Sequence, residues 1–113
     1  MTIYRRAWTM QLRDGAEAAY EAAHASIWPE LKDQMRASGI VRFFLYRSGR
    51  TIFAFQERDR PFGQDTTAPP NDVSIRWWRE MAPLMVTEGP EYRPVHTTLR
   101  EVFALDTITE VQT

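Results

Sequence analysis

The sequence predicts an α+β fold in which an antiparallel sheet is covered by helices on one face. Three observations carry this reading. Segments rich in aromatic and β-branched residues recur at 3–12, 40–46, 51–58 and 95–105. An alanine-rich helical stretch separates the first two of these segments, and a second amphipathic stretch follows Asp72.

Residues 3–12 read as the first strand, closed by the turn signal Asp14-Gly15. Asp14 with Glu17 three residues later has the spacing of a capping box, and Ala16, Ala18, Ala19, Ala22 and Ala23 favour helix. On a 3.6-residue period Tyr20, His24, Ile27, Leu31 and Met35 share one face. Pro29 lacks an N–H and crowds the preceding turn, so the helix should kink or restart beside His24. Gly39 ends it.

Ile40 to Tyr46 and residues 51–58 flank Arg47-Ser48-Gly49-Arg50 and predict a β-hairpin. Residues 59–72 contain Pro61, Pro69 and Pro70 without periodicity and read as a loop long enough to serve as a lid. Asp72 is a candidate N-cap for a short helix that Pro83 should end. A loop at 86–94, a strand from Val95 to Leu105 and a polar tail complete the chain. The order β-α-β-β-α-β is that of a ferredoxin-like domain. Its uncovered sheet face, with aromatics drawn from Trp8, Phe43, Phe53 and Phe103, predicts pairing into a homodimer.

At 113 residues the chain is expected to form one domain over 1–113. Its hydrophobic (43%) and charged (26%) fractions are those of a globular protein. Fourteen Lys and Arg against fifteen Asp and Glu leave a net charge of −1, which argues against nucleic acid or an anionic membrane as partner. Without cysteine there is neither a disulfide nor a thiolate site. The opening residues carry no long apolar run, so a cytoplasmic location is the default expectation.

The chemistry available is therefore small. The two histidines, His24 and His96, have no carboxylate at metal-site spacing, so no metal is expected. His24 can exchange protons near neutrality, and Tyr20 projects beside it one turn earlier. From periodicity alone His24 reads first as a hydrogen-bonded core histidine and second as an acid–base group. Trp77 and Trp78 point about 100° apart on a helix. They suit core packing and dimer contact as well as stacking on the C–H face of a sugar. His96 has no local partner and stays outside the candidate site.

Taken together, Tyr20-x-x-x-His24-x-x-Ile27-Trp28-Pro29-Glu30-Leu31, Arg76-Trp77-Trp78-x-x-Met81 and Leu99-x-Glu101-Val102-Phe103-x-Leu105, with Met10-Gln11 in the first strand, resemble the L-rhamnose mutarotase family. The resemblance implies a dimeric enzyme of the α/β-barrel type that interconverts sugar anomers without a cofactor. It implies His24 as the catalytic proton-transfer residue, Tyr20 as a substrate contact, and Trp77 with Trp78 as the aromatic pair at the sugar. Two positions depart from it. Phe43 stands where the resemblance leads one to expect tyrosine, and the proline-containing 59–72 loop stands where it leads one to expect partial helix. Another deoxysugar, such as L-fucose, stays open as substrate. So do two other classes on the same fold: a monooxygenase of a large aromatic molecule, and a non-catalytic sugar-binding module.

Overall fold

The computed structural model describes residues 2–62, 72–105 and the backbone of 111–112. Strand β1 (Ile3–Gln11) leads into helices α1 (Glu17–Ala25) and α2 (Pro29–Ala37), then β2 (Ile40–Ser48), β3 (Thr51–Arg58) and α3 (Asp72–Met81). Two short strands, β4 (Thr87–Glu88) and β5 (Arg93–Pro94), precede β6 (His96–Leu99) and β7 (Val111–Gln112). The main sheet runs β2-β3-β1-β6, all antiparallel, with β7 added in parallel to β1. The fold is α+β, as the sequence predicts.

The expected hairpin is tighter than the four-residue break suggests. Ser48 pairs with Thr51, which leaves Gly49-Arg50 as a two-residue connection with Gly49 at φ 58°. A glycine at the first loop position is what a type II′ hairpin requires.

Helix α1 departs from the capping-box expectation. Its N-cap is Ala16, with no side-chain cap bond, and the Asp14 carboxylate is almost fully exposed, 3.9 Å from Arg50. Ala16 is buried in the core, so packing rather than capping places this end. Pro29 acts as a full break. Trp28 is extended (φ −62°, ψ 130°), as a residue before proline prefers, and Pro29 opens α2 at its first turn, where a missing N–H costs nothing. Asp72 is likewise the first residue of α3, not its cap, and its carboxylate lies 3.5 Å from Arg76 one turn on.

Gly39 ends α2 with φ 98° and is buried against Asp59 and Arg60, whose side chains occupy the space a Cβ would need. Gly39→Ala is expected to destabilise the fold by about 1–2 kcal/mol through left-handed backbone strain alone. A thermal melt equal to that of the parent protein would contradict this.

The core lies on one face of the sheet. Leu12 and Ile52 from the strands meet Ala16 and Tyr20 of α1, Met81 of α3 and Met85 beyond it, and Met10, Leu45 and Trp77 pack against this cluster. Side chains alternate along a strand. Phe44, Phe53 and Phe55 therefore take the opposite face, where the Phe44 and Phe55 rings stack 6.2 Å apart. Alternation also corrects part of the open-face expectation. Trp8 shares a face with Met10, and Phe43 with Leu45; the two rings lie on the helix side, 5.8 Å from each other.

The last strand is shorter than expected, because pairing stops at Leu99 opposite Ala7. The edge of β1 at Ile3 and Tyr4, which a longer β6 would occupy, is taken by Val111 and Gln112. That backbone pairing also replaces part of the expected tail. Val102, Phe103 and Leu105 consequently stand in no strand and are 78–89% exposed. The segment read as a loop at 86–94 contains the small β4–β5 hairpin. The loop read at 59–72 falls, from 63 to 71, outside the described residues.

Candidate active site

Helix α1 presents Tyr20 and His24 one turn apart on the side facing the sheet. The buried Tyr20 ring lies against the imidazole, with centroids 4.1 Å apart and planes tilted by 34°. His24 Nδ1 lies 2.9 Å from the Tyr20 carbonyl oxygen. A carbonyl can only accept, so Nδ1 carries the proton and donates it, which leaves Nε2 as the nitrogen free for exchange.

Burial holds the His24 imidazole below its ordinary pKa, and the bond to the Tyr20 carbonyl opposes that shift. Burial pushes the Tyr20 phenol up to about 12, so its hydroxyl stays protonated at neutral pH. Imidazole and phenol thus divide the work: one can gain and lose a proton, and the other can only hydrogen-bond.

Trp77 of α3 meets the imidazole edge-on, with centroids 5.3 Å apart at 88°. Trp28, at the break between α1 and α2, meets Trp77 in the same manner, at 5.0 Å and 86°. The structure therefore brings Tyr20, His24 and Trp77 together. Trp78 is half-buried and turned elsewhere, its ring 5.0 Å from the Arg93 guanidinium on β5. His96 is exposed on β6 and lies 3.4 Å from the Pro94 carbonyl.

Beside His24 opens a pocket of about 260 Å³ whose lining includes Tyr20, Glu21, His24, Leu45, Arg47 and Ile52. That is small for a ligand site, which suits a single-ring molecule. Glu21 and Arg47 form an ion pair at 2.9 Å on its wall. A larger groove of about 510 Å³ is lined by Arg79, Ala82, Pro83, Pro90 and Tyr92, and its lining holds neither histidine nor carboxylate. Among the described residues, no three His, Asp or Glu side chains converge as a metal-binding set.

Trp28, Glu21 and Arg47 were not among the site residues read from sequence. Trp28 carried a local signal in its position before Pro29. Glu21 and Arg47 carried none, because their meeting depends on how α1 packs over β2.

The α+β sheet thus carries a histidine of fixed tautomer between a tyrosine and a tryptophan, beside a pocket sized for one ring, the arrangement of a small single-domain protein with one candidate proton-exchanging site. Residues 5–105 match the model of the L-rhamnose mutarotase family, and the chain belongs to that family. It is 39% identical over 101 residues to an L-rhamnose mutarotase of Burkholderia ambifaria, with 88% of this chain and 96% of the relative covered. It is 38% identical over 104 residues to one of Bacteroides thetaiotaomicron, with 90% and 98% covered. The crystal structure of an L-rhamnose mutarotase from Formosa agariphila superposes with a TM-score of 0.75 at 32% identity, covering 90% of this chain and 98% of that one.

Proposed function

We propose that this chain is an isomerase that interconverts the α and β anomers of L-rhamnose. The observation that carries the reading is the fixed tautomer of His24, which aims Nε2 away from the helix while Tyr20 and Trp77 flank the ring. Mutarotation opens the hemiacetal and recloses it on the other face of the carbonyl. The ring oxygen gains a proton as the C1–O bond breaks, and the anomeric hydroxyl loses one. His24 Nε2 delivers the first proton on opening and recovers it on closure, and the complementary proton passes to water or to the wall carboxylate of Glu21. The Tyr20 hydroxyl orients the sugar, and Trp77, in contact with the imidazole, offers a flat apolar surface beside it.

A freshly dissolved pure anomer of L-rhamnose, followed by polarimetry, tests this reading. Catalytic amounts of protein should shorten the approach to equilibrium, and an unchanged time course would overturn the proposal. The pH dependence follows from the shift on His24. The donor is the imidazolium, whose population falls as pH rises through a pKa held below about 6.5. At low sugar concentration, which reports the free enzyme, the rate should therefore decline with rising pH above that value. A rate that instead climbs to a plateau would make neutral His24 the base.

The strand order β2-β3-β1-β6 with helices over the core face supports a ferredoxin-like reading of the fold. The open face supports a homodimer, because Phe44 and Phe53 are 42% and 40% exposed there and Leu99 lies 42% exposed at the edge strand. Apolar exposure on this scale marks interfaces more often than free surface. Light scattering should give twice the chain mass, and Phe44→Lys with Phe53→Lys should give the chain mass. A wild-type protein of single-chain mass at micromolar concentration would refute the dimer.

A further inference from the structure

The site contains a second layer that the proton-transfer chemistry does not use. Arg76, next to Trp77 in α3, forms a two-point fork with Glu30 in the first turn of α2: Nη1 to Oε1 at 2.9 Å and Nη2 to Oε2 at 3.0 Å. Asp72, one turn earlier in α3, lies 3.5 Å from Arg76 Nε and steadies the guanidinium from the other side. The same guanidinium sits 5.8 Å from the centre of the Trp28 ring.

We infer that Glu30 and Arg76 are positioning residues, whose fork seats Trp28 against Trp77 and thereby fixes Trp77 against the imidazole of His24. The inference rests on the mutarotase reading for its kinetic part and on geometry alone for its structural part.

Pro29 opens α2. Because it ends the helical run, α1 and α2 are separate units, and Trp28 stands at the corner in extended conformation with no side-chain cap bond. A tryptophan at such a corner has no helical turn to set its direction. The Arg76 cation on its face and the Trp77 edge against it supply that direction. Glu30, two residues beyond Trp28, is the anchor on the α2 side. The contacts then run without a gap from the fork to Trp28, to Trp77 at 5.0 Å, and to His24 at 5.3 Å.

Exposure separates this role from a stabilising one. The Arg76 and Glu30 side chains are 46% and 52% exposed, and an ion pair that open to water contributes little to folding. The planar, two-point geometry gives direction where a point charge would not. Displacing a reacting group by about 1 Å can cost up to about a hundredfold in rate, so a small loss of registration at Trp77 is enough to be measured.

The test compares the parent protein with Arg76→Lys, which keeps the charge and loses the fork, and with Glu30→Gln. Three quantities are read: the saturating rate of L-rhamnose anomer exchange, the half-saturating sugar concentration, and the NMR shifts of the His24 ring protons, which sense the edge of Trp77. Arg76→Lys and Glu30→Gln should lower the saturating rate about tenfold, change half-saturation and melting temperature little, and move the His24 ring signals. Unchanged His24 signals in Arg76→Lys overturn the inference whatever the rate does. Moved signals with an unchanged saturating rate overturn its kinetic part. If the parent protein does not accelerate exchange, the mutarotase reading fails, and the His24 signals alone still decide whether the fork positions the ring.

Discussion

His24→Asn is expected to lower the catalysed rate of anomer exchange by about 10²–10⁴, the range typical of losing a positioned proton-transfer group. Asparagine preserves the polar character of the site but has no group that titrates near neutrality. The change should be almost purely chemical, because His24 is half-buried at the pocket and belongs to none of the fully buried positions of the core. Its ring hydrogen-bonds to the Tyr20 carbonyl of its own helix. A variant that melts like the parent protein and binds sugar but does not speed exchange fits the account. A variant that retains the parent rate removes His24 from the mechanism and leaves Glu21 as the pocket's other proton acceptor.

The second large effect is expected at Trp77. This side chain packs against the core cluster and also touches both His24 and Trp28. Trp77→Ala should cost stability and catalysis together: about 2–3 kcal/mol, at or below the lower end of the range for removing a large buried ring because Trp77 is only half-buried, and the contact that holds the His24 ring. Trp77→Phe separates the two. It restores much of the apolar volume but not the reach of the indole, so stability should largely return while exchange stays depressed. Chemical denaturation and exchange measured on the same two proteins check this. A phenylalanine variant with full activity would reduce Trp77 to a packing residue.

Much of this was legible in the sequence because it depends on local rules. The β-favouring residues along 3–12 and 51–58, the glycine at 49 and the proline at 29 each act within a few residues, and each appears where local physics puts it. The closeness of Tyr20 and His24 follows from one helical turn. Features set by distant partners were not legible. Nothing near Val102 or Phe103 reveals that Val111 and Gln112 occupy the β1 edge those residues would need. The facing of Trp8 and Phe43 depends on register, which a list of aromatics does not contain. The capping box at Asp14 and Glu17 had the right spacing, yet burial of Ala16 decided where α1 begins. The divergence of Trp77 and Trp78 follows from their adjacency on a helix, but which of them meets His24 depends on how α3 lies over α1.

Whether this chain exchanges the anomers of L-rhamnose is decided by saturation-transfer NMR on the sugar at equilibrium. Irradiating the anomeric proton of one form should transfer saturation to the other at a rate that rises in proportion to protein concentration, with a larger effect for L-rhamnose than for L-fucose or D-glucose. No transfer above the uncatalysed rate with any of the three sugars, from a protein shown to be folded, would contradict the mutarotase reading.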